Sequence, residues 1–190
     1  MRVFLAGATG VLGRALIPHL TGQDVVGLTR SRDKAALLRE LGVEPVIADA
    51  YDREQLVHLV VAARPDVVVN FLTDLTAGSS ELNARIRHEV GPAVVHAAET
   101  ASARRIVVES VAWALEGASA EALSLLESSA VESKLEALVI RFGRLWGPGT
   151  WHAEPPQPPS VQIDDAGRWA AKLIAAGSTG TRVVASAFED

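Results

Sequence analysis

Short apolar runs alternate with stretches of helical periodicity almost to the end of the chain. Arg2 to Ala6, Asp24 to Leu28, Glu44 to Ala48, Asp66 to Phe71, Ile106 to Val108 and Ala137 to Phe142 each read as a buried strand, and a last one is expected over Thr181 to Ala185. Between them, apolar residues recur every three or four positions: Ala15, Leu16 and Leu20; Ala35, Leu38 and Leu41; Leu56, Leu59, Val60 and Ala63. A longer helix from about Ser80 to Ser102 buries Leu82, Ile86, Val90, Val94 and Ala97, with Arg85, Arg87 and Glu89 off that stripe and a kink expected at Gly91-Pro92. Ser119 to about Val131 and the segment carrying Trp169, Leu173 and Ile174 supply two more helices. Such alternation predicts an α/β, doubly wound parallel sheet with helices on both faces, a three-layer αβα arrangement. The punctuation agrees. Ser31 and the Asp52-x-x-Gln55 pair are helix caps, Asp164-Asp165 caps the last helix, and Gly42 and Pro65 are stops.

Regularity breaks once. Five of the nine prolines fall between Pro148 and Pro159, so the stretch from Trp146 to Ser160 reads as an extended loop with little internal hydrogen bonding. The whole of 1–190 is expected to be one domain, with residues 149–160 as a proline-rich loop.

Composition narrows the function. A hydrophobic share of 48% suits a globular α/β chain, no run approaches the ~20 apolar residues of a membrane span, and the start enters a strand without a leader pattern. The absence of cysteine excludes disulfides, thiol catalysis and thiolate metal sites and is compatible with the cytoplasm, the compartment expected here. A net charge of −5 without a basic face argues against nucleic acid and makes a small molecule the expected partner. His19, His58, His88 and His96 are scattered over helical patterns and form no ligand pair, so no metal is expected.

The chemistry concentrates at the start. Gly7-x-x-Gly10-x-x-Gly13 follows the first strand and opens a helix, as in a Rossmann-like unit that offers backbone N–H groups to a pyrophosphate. Gly7 permits the tight turn, Gly10 the approach of phosphate and Gly13 the close seating of the helix, with Thr9, Val11 and Leu12 completing the turn. At the end of strand two, Arg30 followed by Ser31 and Arg32, with no carboxylate before Asp33, favours NADP(H); NAD(H) is the alternative, and two surface arginines opening a helix are the bland reading. Asp49-Ala50 is placed to reach an adenine ring or simply to make a turn. The ends of strands four and five bring Asn70, Phe71, Leu72, Thr73 and Asp74 opposite Ser110 and Trp113. Phe71 to Thr73 are candidate cofactor contacts, and Asp74, Trp113, Arg144, Trp146 and Trp151 candidate substrate-pocket residues, although the tryptophans equally suit a core. Ser110 is either a hydrogen-bonding partner of substrate or a strand-end turn former. His152 with Glu154 is the one nearby pair suited to proton transfer at neutral pH, or a solvated loop.

These residues together resemble the extended and atypical short-chain dehydrogenase/reductases of the NAD-dependent epimerase/dehydratase group. The resemblance rests on Gly7-Ala8-Thr9-Gly10-Val11-Leu12-Gly13, Ala48-Asp49, Pro65-Asp66-Val67-Val68-Val69, Glu109-Ser110, Arg141 with Trp146-Gly147-Pro148-Gly149, and Asp164-Asp165-Ala166. It implies an NAD(P)-binding Rossmann domain with Ser110 at the catalytic serine or threonine position and a reduced substrate-capping region. Two departures stand out. The family's Tyr-x-x-x-Lys pair is missing: by spacing it would fall near Ala118 and Ala122, Lys134 has Ala130 four residues before it, and the sole tyrosine is Tyr51. Only about forty residues follow Trp151, which leaves little for a substrate cap. The expected function is an NADP(H)-dependent oxidoreductase or epimerase-like enzyme acting on a small carbonyl or hydroxyl substrate, ahead of a non-catalytic NADP(H) sensor and a redox-neutral isomerase or cyclase. The helices starting near Ser80 and Ser119 are the expected face of a homodimer.

Overall fold

A computed structural model describes residues 1–74 and 79–188. Seven parallel strands form the sheet: β1 (Arg2–Ala6), β2 (Asp24–Thr29), β3 (Glu44–Ile47), β4 (Val67–Asn70), β5 (Arg105–Val111), β6 (Glu136–Phe142) and, after a small outlying pair, β9 (Gly180–Val184). Their order is β3-β2-β1-β4-β5-β6-β9. The chain therefore winds outward from β1 in one direction, then returns and winds in the other. The ends of β1 and β4 part at this switch point, which leaves a crevice at their carboxyl ends.

One face is covered by α1 (Val11–Leu16), α2 (Arg32–Glu40) and α7 (Ile163–Ala175), which bury Leu12, Leu16, Leu38, Ala166, Ala170 and Ile174 against Val3, Leu5, Val69 and Val107. The other carries α3 (Arg53–Ala63), α4 (Ser80–Glu89), α5 (Gly91–Thr100) and α6 (Gly117–Val131), with Leu56, Val60, Val94, Ala97, Leu126 and Ala130 against Phe4, Val68, Ile106 and Val139. Alternate strand residues feed opposite layers, which is why the strands read as continuous apolar runs. The three-layer αβα reading holds.

Several local expectations hold and several need correction. Ser31 Oγ accepts the Lys34 N–H and Asp52 Oδ1 the Gln55 N–H, as their spacing predicts. The cap of α7 is Gln162, whose Oε1 accepts the N–H groups of Asp164 and Asp165, so the two aspartates occupy the first turn rather than the cap. The long helix is interrupted at Val90, and Pro92 sits in the first turn of α5, where its missing donor is harmless. Leu82 is exposed, and Arg87, expected off the buried stripe, is only 4% exposed because Glu109 of β5 receives its guanidinium at 3.1 and 3.2 Å.

The proline-rich region is also more ordered than an extended loop. β7 (Arg144–Trp146) and β8 (Ser160–Gln162) pair in parallel. Between them the non-proline residues supply donors: Gly147 N–H reaches the His152 carbonyl at 2.8 Å, and Thr150 Oγ1 lies 2.8 Å from the carbonyls of both Gly147 and His152. Among the described residues no helix is long and apolar enough to cross a membrane, and no cluster of three or more His, Asp or Glu is suited to a metal ion.

Candidate cofactor cleft and active site

The switch-point crevice is built from the glycine turn upward. Gly7 has φ +90°, and a Cβ there would overlap the Phe71 carbonyl, so any side chain would both strain the backbone and displace the end of β4. Gly13 lets α1 lie against Gly7, whose carbonyl a Cβ would overlap. Gly10 is the N-cap of α1 and brings no side chain to it. The first intrahelical bond is Arg14 N–H to Gly10, so the N–H groups of Val11, Leu12 and Gly13 lack a helical partner. An oxyanion fits such a cradle through N–H donors and the helix dipole together.

From the turn the cleft extends in both directions. Its walls include Gly7, Thr9 and Gly10, then Thr29 and Arg30 at the end of β2 with Lys34 in the first turn of α2, Asp49, Ala50 and Tyr51 after β3, and Phe71, Leu72, Thr73 and Asp74 after β4. Most of the predicted cofactor residues are thus brought together. Leu12 and Gly13 act from behind, buried against the sheet. Arg32 opens α2 but lies outside the walls, and Lys34, two residues further along, stands there instead; its place four residues after Arg30 is the signal that marks it. Asp49 lines the cleft and also makes the turn: its Oδ1 accepts the Tyr51 N–H at 3.1 Å.

Tyr51 is the wall residue that sequence reasoning leaves in a turn. The Arg85 guanidinium lies 4.9 Å from its ring centroid. Burial pushes the phenol up, against the pull of Arg85, and the carboxylates of Glu89, Asp74 and Asp49 add to the rise. The ring therefore stays neutral and able to donate at physiological pH.

The carboxyl ends of β5 and β6 hold a second cleft of about 430 Å³, with Trp113, Leu115, Ala120, Leu123, Glu127 and Arg141 among its walls. Ser110 does not face it. Its side chain is 0% exposed, and Oγ donates to Glu127 Oε1 at 2.5 Å. Arg141 grips the same carboxylate from β6, Nε at 2.9 Å and Nη2 at 2.5 Å. Burial pushes the Glu127 carboxyl up, but the hydrogen bonds from Arg141 and Ser110 and the charges of Arg141 and Arg87 outweigh it and hold the group below the usual carboxylate range. Hence Glu127 is ionised, and the proton of Ser110 is committed to it. A direct contact between Ser110 and a substrate carbonyl or hydroxyl is closed off in this arrangement, a correction that the seventeen-residue separation of the partners hides in the sequence.

The remaining candidates lie nearby. Trp113 is stacked under Arg144, whose guanidinium carbon is 4.9 Å from the ring. Trp146 lies in β7, bridged to His152, while Trp151 is 74% exposed. His152 belongs to the hydrogen-bonded turn and is in the walls of neither cleft. On α6, Ala118 is exposed and Ala122 buried, so neither supplies a proton; Ala120, Leu123, Ser124 and Glu127 are the residues this helix offers to the cleft.

A parallel sheet with a glycine turn at its switch point and phosphate donors at a helix start defines a dinucleotide-binding α/β protein. The NAD(P)H-binding family model matches residues 7–142, and the chain belongs to that family. It is 36% identical over 183 residues to a 3-diazoavenalumate denitrifying reductase from Streptomyces, an alignment covering 80% of this chain and 59% of the relative. The chain therefore spans about three-fifths of that protein's length. Among solved structures it resembles ChuY, an anaerobillin reductase from Escherichia coli O157:H7, with a TM-score of 0.73 and 23% identity over 100% of this chain and 97% of the other. The Bordetella bronchiseptica enzyme WbmH in complex with NAD+ gives a TM-score of 0.76 at 18% identity, covering 96% of this chain and 74% of that one. The chain is accordingly an NAD(P)H-binding protein.

Proposed function

We propose that this chain is an NADPH-dependent oxidoreductase acting on a small carbonyl or hydroxyl substrate, and that its preferred cofactor carries the 2′-phosphate. The observation that carries the reading is the pairing of the Gly7 to Gly10 turn with Arg30 and Lys34 in one cleft, at the carboxyl end of β2, where Gly27 to Ser31 bring no carboxylate. When bound, the reduced nicotinamide supplies hydride. This chain's residues do the rest. The uncapped start of α1 holds phosphate, Arg30 and Lys34 neutralise the additional phosphate, Tyr51 and Asp49 flank the adenine side, and Phe71 to Thr73 seat the reacting half. Proton delivery falls to water or to the substrate itself, because α6 brings an ionised carboxylate to the second cleft and no phenol. The Streptomyces relative, a reductase by name, favours reduction over epimerisation.

The test is a fluorescence titration with NADPH and NADH, followed by nicotinamide absorbance in the presence of small carbonyl compounds. NADPH should bind at least about tenfold more tightly, and Arg30→Gln or Lys34→Gln should each remove roughly a factor of ten for NADPH while leaving NADH little changed. Equal affinity for both cofactors refutes the assignment. A second reading, a sensor that binds NADPH without turnover, is favoured by the sealed position of Ser110. It predicts tight NADPH binding with no oxidation by any carbonyl offered.

A further inference from the structure

One wall of the cofactor cleft carries an aromatic ring that is held from outside the cleft. Tyr51, the sole tyrosine of the chain, stands in the wall and is half-buried. Its N–H is bonded to Asp49 Oδ1, which fixes the backbone at the base of the side chain. The Arg85 guanidinium carbon lies 4.9 Å from the ring centroid, and Arg85 itself lies outside the wall. Arg85 is held in turn: Glu89, one turn further along α4, accepts its Nε at 3.0 Å and its Nη2 at 3.5 Å. A carboxylate bound at the edge of a guanidinium leaves the flat face free, and that face is what an aromatic ring attracts. The Arg85 and Glu89 side chains are 59% and 41% exposed, so their ion pair contributes little to folding. What it fixes is the plane of the guanidinium.

The neighbourhood says what the ring meets. In NADPH the 2′-phosphate sits on the ribose carbon next to the one that carries adenine, so a phosphate at Arg30 and Lys34 puts the base beside them. With Tyr51, the cleft brings Leu28, Ala48 and Ile86 to its walls, all three buried and apolar. Such a slot suits a flat, uncharged heterocycle. We propose that Arg85 is a positioning residue for the cofactor: locked by Glu89, it holds the Tyr51 ring as the platform on which adenine stacks. The proposal deepens the cofactor reading and rests on it. Arg85 acts through the ring, and the ring acts through its face, so the phenol hydroxyl is dispensable for binding.

The probes are NADPH, titrated by its own fluorescence, and adenosine 2′,5′-bisphosphate, which carries the adenine half alone and is titrated by displacement of NADPH. Tyr51→Leu should weaken both by the same factor, roughly tenfold or more, whereas Tyr51→Phe should bind as wild type does. Arg85→Gln should weaken both by about two- to fivefold, and Arg85→Lys, which keeps the charge but loses the flat face, should recover part of that loss. Because Tyr51 is the sole tyrosine, protein labelled with 13C-tyrosine gives one set of ring signals. Saturating bisphosphate should move them by ring current in wild type, and by less in Arg85→Gln. Circular dichroism and thermal melting establish that each variant is folded. Unchanged affinity in folded Tyr51→Leu or Arg85→Gln, a Tyr51→Phe variant as weak as Tyr51→Leu, or weakened NADPH beside unweakened bisphosphate overturns the proposal and leaves the cofactor reading standing. Wild type that binds no NADPH overturns the cofactor reading and the proposal with it, so the two failures are told apart on the same samples.

Discussion

Replacing Arg141 by glutamine tests whether Glu127 is held as a buried carboxylate. The substitution removes both hydrogen bonds to Glu127 and leaves the carboxylate with Ser110 as its hydrogen-bond donor. Two unit charges about 4 Å apart at an effective dielectric of ~20 attract by about 4 kcal/mol. That figure is an upper bound, because the Arg141 side chain is 44% exposed and Glu127 17% exposed. Fully exposed pairs contribute about 0–1 kcal/mol, whereas removing one partner of a buried pair costs about 3–5. A cost of about 2 kcal/mol at neutral pH follows, a fall of about 4–8 °C in melting temperature for a chain of this size. The pH dependence fixes the cause. The carboxyl of Glu127 is lowered in the folded protein, so its contribution is fully present above the ordinary carboxylate value near ~4.3 and is lost as pH falls through the lowered folded value. Urea titrations of wild type and Arg141→Gln from neutral pH downward should give a constant difference that shrinks once pH drops below about 4. A melting temperature changed by less than about 1 °C, or a difference that grows on acidification, refutes the description of this site as a locked carboxylate.

Two other perturbations probe separate links. Gly7→Ala places a Cβ against the Phe71 carbonyl at a backbone conformation of φ +90°, and should both destabilise the fold by about 2 kcal/mol or more and abolish NADPH binding, measured by melting and by cofactor fluorescence. For the buried pair of α4 and β5, Arg87→Met or Glu109→Gln alone should cost about 3–5 kcal/mol in urea unfolding, whereas the double replacement Arg87→Met with Glu109→Leu should recover most of the loss; additive costs would show that the two groups do not compensate one another.

How much of this was legible in the sequence depended on the range of the interaction. Ser31 and Asp52 could be read as caps because each bonds an N–H three residues away, and the Gly7 turn because a strand, three spaced glycines and a helix lie within a few residues. Arg30 was readable from its place after β2. Arg87 was misplaced because its partner is twenty-two residues distant, on a strand that only the folded sheet brings under α4. Helical periodicity treats a charged residue as solvent-facing and has no means of seeing the carboxylate that permits its burial. The ordered turn from Gly147 to His152 was hidden by its prolines: their number predicts extension, while the bonds are made by Gly147 and Thr150 among them.

The same distinction separates the two ends of the molecule. The cofactor end is made of backbone: glycines, unpaired N–H groups and a strand terminus, features whose geometry is fixed by local residue type. The second cleft is made of side chains drawn from β5, α6, β6 and β9, and where the family resemblance led to a tyrosine and lysine there is a different arrangement. Ser110 donates inward to Glu127, Arg141 completes the grip, and the sealed serine positions a carboxylate where a donor to substrate was expected. An ionised group at that place does not deliver a proton at neutral pH, since the arginine that orients it also holds its proton affinity down. What it can do is set the polarity of the cleft. Under the reduction proposed above, the acceptor takes hydride and finds its proton in solvent rather than at Glu127.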